Sequence, residues 1–505
     1  MHDGLVDHVL PLALGGLLVA AISWRGSGRL RLNGPARRGV RWARVQDLRR
    51  LLVRPGPLPA GRLVLGQPCG PTAGRHVLAT EDAQSVVVVG PTQSGKTSCL
   101  ALPALIGWDG PAVAASVKSD LLRHSMAERS QRGQVWCIDP TSATGLPASQ
   151  WSPLSDCTEW TRACRMAIDL ADAAKVEATT ADGEFWYATA AKLLAPLFFA
   201  AARDGRNMAD VVRWVDTQEV GEVADALEQV GQTEALDAAR ATWCRDERTR
   251  SSVYTTAETV LAPFATSPGT GDFFEPAQLL RGRHTLYICA PAHDQRRLRG
   301  YFSALVQQVL GHAFATATRA GRALDPPLLV VLDEAAHIAP LAELDGLAAT
   351  CASHGIQLVT IWQDLAQVRA RYGARAPTVL NNHRAKLFLP GIADPDTLEY
   401  ASALIGETDM TQASVTRDGR GTHSTTSTST PRRLLTPAEL RCLPRGQAVL
   451  VYGTLPPARL RLRPYWAGRN RSASGSGPLR APARGGGRRW WPGPGPGSGS
   501  SGRSG

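Results

Sequence analysis

The sequence predicts an α/β fold: a mostly parallel sheet with helices on both faces, interrupted by an inserted all-α subdomain. Three observations predict it. Short apolar, β-branched runs alternate with helix-compatible stretches along most of the chain. Several of these runs end abruptly in polar or acidic residues, as at Val117-Lys118, Ile138-Asp139 and Leu332-Asp333. Between 157 and 249 the strand-like runs disappear and Ala, Leu, Glu and Arg dominate.

The first strand is Ser85 to Val89, with four consecutive valines, a pattern suited to burial on both faces. It runs into Gly90-Pro91-Thr92-Gln93-Ser94-Gly95-Lys96-Thr97, which fits G-x-x-x-x-G-K-[ST] at every fixed position. The two glycines let the backbone wrap closely around phosphate, and the helix starting near Lys96 adds the positive end of its dipole. Lys96 can reach the β- and γ-phosphates, and the Thr97 hydroxyl can ligate Mg²⁺. Residues 90 to 98, Ser98 included, are therefore the expected ATP-binding loop of a P-loop NTPase.

Pro111 to Val117 is the second strand and ends in Lys118-Ser119-Asp120, at the edge where α/β sites form. Leu121 to Arg132 is helical, and Gln134 to Ile138 is a short strand before Asp139-Pro140. In the helical block, Glu184 to Ala202 carries a wide apolar face, with Pro196 inside it. Trp186, Trp214 and Trp243 read as core residues. Arg250 to Phe264 reads as a helix returning to the sheet.

Thr285 to Cys289 and Leu328 to Leu332 are further strands. The second runs into Asp333-Glu334, about 240 residues after the P-loop. Asp333 is placed to hold the Mg²⁺ shell, and Glu334 to polarise the attacking water. Gln357 to Trp362 follows and ends in Gln363, a candidate γ-phosphate sensor or water-positioning residue. Four arginines behind it, Arg369, Arg371, Arg375 and Arg384, are candidates for a finger supplied to a neighbouring subunit. Ala385 to Leu389 and Gln447 to Tyr452 supply two more strands. Arg417 to Thr430 is polar and reads as a mobile loop.

Composition bounds the function. The net charge of +12 over 505 residues is carried by two flanks: residues 25 to 62 hold +10 and residues 469 to 505 hold +7, while 63 to 468 sum to −3. Charge therefore does not make the body a nucleic-acid binder, though a local basic lining is compatible with it. The nine cysteines show no C-x-x-C pair and fit reduced thiols. His124, His337, His354 and His383 are isolated, and no LSGGQ-like stretch of a transporter ATPase occurs.

Val9 to Trp24 is apolar and uncharged. Its sixteen residues would rise about 24 Å as a helix, against a hydrocarbon core of roughly 30 Å. A short membrane anchor is the favoured reading, with a buried core helix as the alternative. A cleaved signal peptide would want a basic start and a small-residue cleavage site. The eleven arginines after Trp24 would hold that side in the cytoplasm. The expected organisation is an anchor at 1–24, an Arg-rich juxtamembrane linker at 25–62, nucleotide-binding parts at 63–156 and 250–466, the all-α insertion at 157–249, and a disordered tail at 467–505. Within the tail, Arg488 to Trp491 is the one sticky spot.

Beyond the P-loop, several stretches fall in a family's order: SVKSDL at 116–121, DP at 139–140, WSPL at 151–154 and VYTTAETVLAPF at 253–264. LLVVLDEAAHIAPL at 328–341, WQDLAQVRARYG at 362–373, Asn381-Asn382 and LLTPAELRCLPRGQAVLVYG at 434–453 continue it. The chain resembles the TraG/TraD-type coupling proteins of conjugative type IV secretion systems over about 85 to 465. That resemblance implies a RecA-like motor domain with ATP and Mg²⁺, an inserted all-α domain and a membrane anchor. It also implies a homohexameric ring and ATP-driven handling of DNA or protein substrates, with single-stranded DNA, relaxase or relaxosome proteins and secretion-channel components as the expected partners. Many relatives have two spanning helices; this sequence offers one. Two other functions fit the motifs: an FtsK/HerA-like DNA translocase without a secretion role, and an ATP-binding substrate receptor with negligible turnover.

Overall fold

A computed structural model describes residues 40–55, 59–69, 76–175, 181–265, 271–291, 293–417 and 423–469. The expected anchor at Val9 to Trp24, the first part of the Arg-rich segment and the tail from 470 lie outside the described residues.

Twelve strands form one sheet. In chain order they are β1 (Leu52–Val53), β2 (Val64–Pro68), β3 (Val77–Ala79), β4 (Val86–Val89), β5 (Ala112–Ser116), β6 (Val135–Ile138), β7 (Thr285–Cys289), β8 (Leu328–Asp333), β9 (Ile356–Trp362) and β10 (Ala385–Phe388). After a separate hairpin, β11 (Glu407–Arg417) and β12 (His423–Arg433), come β13 (Gln447–Tyr452) and β14 (Ala458–Arg461). The spatial order is β1-β3-β2-β14-β13-β10-β4-β9-β8-β5-β7-β6. From β10 to β6 every pairing is parallel, and from β13 outward to β1 every pairing is antiparallel.

The continuous apolar runs follow from burial on both faces. Alternate residues of each central strand enter different cores: Val87, Val89, Val113 and Val330 face one, while Val86, Val88, Ala112 and Val331 face the other. The first core is continuous with the helical block. There the helix Ala181–Arg203 is central, packed by Trp160–Ala174, Met208–Asp216, Gly221–Val230, Thr233–Trp243 and Glu247–Leu261. Trp214 is fully buried, and Trp186 and Trp243 pack partly buried against the same core. Among the described residues only 183–203 is a helix long and apolar enough to cross a membrane, and 67% of its most apolar window is buried in the protein. It is the axis of this bundle.

Three expectations need correction. Residues 25–62 are not a linker throughout: Leu48 and Leu51 are buried, and β1 joins the sheet edge. The expected break at 249 falls inside one helix, Glu247–Leu261, which packs on Ala181–Arg203 and so belongs to the bundle. Arg417 to Thr430 is not a loop for most of its length. It lies in the β11–β12 hairpin, paired from Glu407↔Arg433 to Arg417↔His423, and only 418–422 fall outside the described residues.

One buried charge ties the sheet to its helices. Arg129, in the helix Asp120–Ser130, is fully buried. Its guanidinium donates to the carbonyls of Trp108 (2.6 Å) and Gly110 (2.7 Å) and to Thr285 Oγ1 (2.7 Å). Burial lowers its pKa to about 10, so it stays charged at neutral pH. Arg129→Met leaves those acceptors without a donor and should destabilise the body by about 3 kcal/mol. An unchanged denaturation midpoint would show that the acceptors are satisfied without it.

Candidate nucleotide site

The site lies where β4, β9, β8 and β5 end side by side. β4 pairs with β9 up to Val89↔Trp362, β9 with β8 up to Ile361↔Asp333, and β8 with β5 up to Asp333↔Ser116. Because the strands are parallel, the residues after each strand arrive at one edge: Gly90, Gln363, Glu334 and Lys118.

The P-loop begins with Gly90 N–H donating to Trp362 O at 3.1 Å. A Cβ on Gly90 would come within 2.8 Å of Leu389 Cβ and 2.9 Å of Ser94 Oγ, so no larger residue fits there. Gln93 (φ +63°) and Gly95 (φ +97°) have positive φ, a local backbone conformation of the kind from which anion-binding nests are built. Ser94 Oγ donates to Pro91 O at 2.7 Å and braces the turn. The helix then opens with a wide turn, Thr97–Ala101, and continues as Leu102–Gly107.

Lys96 is buried, 7% exposed, with Nζ donating to the carbonyls of Gly90 (2.5 Å) and Pro91 (2.8 Å). Burial lowers its pKa; the charges of Asp333 and Glu334 act against that. Thr97 Oγ1 donates to Asp333 Oδ2 at 2.8 Å, and Ser116 Oγ reaches the same oxygen at 3.5 Å. Asp333 is 4% exposed, and burial raises its carboxyl pKa against the Thr97 hydrogen bond. Glu334 follows in left-handed backbone, φ +65°, a conformation a non-glycine residue holds at some cost. That turn takes Glu334 out of the strand beside Lys96, whose pKa it influences.

The sequence-predicted residues are thus brought together: Gly90 to Ser98, Asp333 and Glu334 share one edge. Gln363 follows β9 between the P-loop strand and β8, and its N–H donates to Gln367 Oε1 at 3.0 Å. The four arginines behave differently. Arg369 pairs with Asp396, Arg375 with Asp345 at 3.2 Å and Arg384 with Glu81 at 3.3 Å. Arg371 donates to Pro340 O at 3.3 Å and, among the described residues, makes no ion pair.

Two charges at this edge had no assigned role in the sequence. Lys118 acts on both Lys96 and Asp333. Asp364, which caps the helix Leu365–Tyr372 by accepting from Gln367 N, also acts on Lys96. Their signal was position alone, each following an apolar strand. On the other side, Tyr465 N–H donates to Ser98 O at 2.9 Å, and its ring lies 5.2 Å from His124 and 5.0 Å from Trp466.

The residues fit a nucleotide with Mg²⁺. A buried carboxylate whose near neighbours are hydroxyls is a hard-oxygen site suited to Mg²⁺, which keeps few protein ligands and shares the phosphates. Among the described residues no group of three or more His, Cys, Asp or Glu gathers into a metal site of its own.

The chain is similar to known proteins over most of its length. The family model for type IV secretory system conjugative DNA transfer matches residues 41–476. A conjugal transfer protein TraG of Escherichia coli is 25% identical over 458 residues, covering 80% of this chain and 71% of the relative. VirD4 of Rhizobium rhizogenes is 24% identical over 438 residues, covering 80% of this chain and 62% of the relative. Among solved structures, the unbound bacterial conjugative coupling protein TrwBΔN70 superposes with a TM-score of 0.66 at 21% identity, covering 84% of this chain and 92% of that one. TrwB with a non-hydrolysable ATP analogue gives 0.60 at 20% identity, covering 81% and 96%. The fold is that of a RecA-like P-loop NTPase, and the chain belongs to the type IV secretory system conjugative DNA transfer family.

Proposed function

We propose that this chain is a motor ATPase that binds ATP with Mg²⁺, hydrolyses it, and uses the cycle to couple a DNA or protein–DNA substrate to a secretion channel. The observation that carries the reading is the meeting of Lys96, Thr97, Asp333 and Glu334, which come from ends of the chain's central region and share one sheet edge. In support, the fold-matched TrwB has been crystallised with ADP and Mg²⁺, with an ATP analogue and with a GTP analogue.

Each residue has a task. The nest of Gly90 to Ser98 and the Lys96 ammonium hold the β- and γ-phosphates. Thr97 and Asp333 would hold Mg²⁺, which neutralises charge developing on the phosphates. Glu334 takes a proton from the attacking water. Gln363 orients that water or senses the γ-phosphate. Inner-membrane attachment through residues 1–24, a homohexameric ring, and single-stranded DNA, relaxase or relaxosome proteins and channel components as partners complete the proposal.

A ring would present basic side chains to a shared channel, where individually weak phosphate contacts add. It would also bring an arginine to the neighbouring γ-phosphate. Arg371 is the first candidate, because the other three already hold carboxylates of their own chain. Specific ATPase activity should therefore rise with protein concentration and be stimulated by DNA, with stimulation fading as salt rises. Arg371→Ala should lower turnover by on the order of 10³ without loss of ATP binding. Concentration-independent activity, together with full activity of all four Arg→Ala variants, would refute the ring. Absence of turnover with ATP bound, under every DNA and salt condition, would leave a nucleotide-gated receptor.

A further inference from the structure

A second cavity, of about 370 Å³, opens between two helices and a turn and shares no residue with the nucleotide site. Small-molecule pockets typically span roughly 300–1,000 Å³. One wall is the first half of Trp160–Ala174, which presents Arg162, Arg165, Met166 and Asp169 at helical spacing. A second is the later half of Gln295–Ala320, where Gly311 and Ala315 open a groove closed by His312 on one side and Arg319 beyond. The third is the turn around Leu280 and Arg281. The helix Gln295–Ala320 starts beyond the end of β7 and returns to feed the start of β8. Its later half therefore runs toward the sheet edge opposite Lys96.

The charges here are unevenly matched. Asp156 is occupied by His312 Nε2 at 2.5 Å and by Arg162 at 3.5 Å, and Arg162 also holds Glu159 at 3.1 Å. Among the described residues the guanidiniums of Arg165, Arg281 and Arg319 make no ion pair and no hydrogen bond. Asp169 offsets them only in part. Burial pushes its carboxyl up to about 7, with Asp172 and Glu343 adding to the rise and Arg165 opposing it. The lining thus sets four arginines, Arg162, Arg165, Arg281 and Arg319, against two aspartates, Asp156 and Asp169, a formal surplus of two positive charges beside apolar surface from Met166 and Leu280.

We propose that this cavity binds a small organic phosphate, its dianionic group held by Arg165, Arg281 and Arg319 and its apolar body resting on Met166 and Leu280. A phosphate monoester carries about −1.5 to −2 at pH 7, which matches the surplus; a single carboxylate does not. Guanidinium forks also suit the tetrahedral oxygens, each able to give two parallel N–H···O bonds. The cavity joins the helical bundle to the helix that leads into β8, so a bound phosphate would tie these two elements together.

The test is a calorimetric titration of phenyl phosphate into the full chain carrying Lys96→Ala, which removes the main phosphate grip of the P-loop. One saturable site is expected. Arg165→Ala and Arg319→Ala, added singly, should each weaken it at least about tenfold. Ala315→Leu, on an exposed helix position, keeps all charges but fills the groove and should cause the same loss. Arg203→Ala, an exposed arginine elsewhere, should leave it unchanged, and benzoate should bind roughly tenfold more weakly than phenyl phosphate. The proposal is overturned if no saturable binding occurs at concentrations on the order of 10 mM. It is also overturned if Ala315→Leu binds normally, or if benzoate binds as tightly as phenyl phosphate.

Discussion

Lys96→Ala is expected to abolish ATP turnover and to weaken nucleotide binding. The ammonium sits 2.5 and 2.8 Å from the carbonyls of Gly90 and Pro91, inside the turn that the phosphates would occupy. Moving from those carbonyls to the γ-phosphate exchanges two neutral acceptors for a dense negative charge in a place that water hardly reaches. Removing one donor of this kind costs on the order of 10²–10³ in rate. The carbonyls of Gly90 and Pro91 lose a buried donor, so a modest loss of stability, about 1–3 kcal/mol, accompanies the change. The useful readout is therefore a pair: a melting curve that is lowered but still cooperative, and loss of the shift that ATP and Mg²⁺ impose on it. Turnover near the parent rate would remove the P-loop from the mechanism.

Glu334→Gln should separate binding from chemistry. The amide keeps the size of the side chain and tolerates the same left-handed backbone, yet it cannot accept the proton of the attacking water. Turnover is expected to fall by on the order of 10²–10⁴, with ATP bound and persisting. Asp333→Ala should behave otherwise. Asp333 accepts from Thr97 and is buried between β5 and β9, so its loss removes the Mg²⁺-dependent part of binding. If Glu334→Gln lost binding along with turnover, Glu334 would be a metal ligand or a structural residue. The two acids differ in how their backbone is held: Asp333 ends a strand and Glu334 turns away from it, which is why neighbours in sequence can do different work.

Much of this site was legible because its physics is local. A phosphate nest needs glycine at set positions, and a strand buried on both faces needs an unbroken apolar run; both are visible in Ser85 to Thr97 and in Leu328 to Glu334. The parallel strands from β4 to β10 were found for the same reason. What was misread lacked that contrast. In the hairpin β11–β12, Ser and Thr alternate with little apolar patterning, because the two strands pair only with each other and not with the main sheet. Thr favours strands, but with so few apolar residues the two-residue period is silent. Leu48 and Leu51 were hidden among arginines, where charge outweighed two leucines three residues apart. The end of the helical block was misplaced because Glu247–Leu261 is polar on its outer side while Val253, Ala257 and Val260 line its buried one. Lys118 and Asp364 were visible as residues, but their convergence on Lys96 depends on strand order, which no local pattern records.

The strand order also sets a timetable. β4, which carries the P-loop, is flanked only by β9 and β10. Both are made after it, β9 more than 260 residues further along the chain. As the chain leaves the ribosome, four valines and the turn from Gly90 to Ser98 therefore wait with both strand edges bare while the whole helical bundle is synthesised. The bundle is rich in local contacts and can fold in that interval, whereas the sheet must close large loops before any of its central pairings count. The edge that carries the P-loop is thus complete only once β9 has been made, long after β4 and β5. Until β9 arrives, the newborn chain exposes both edges of an all-valine strand, the kind of segment that pairs with other chains unless it is covered.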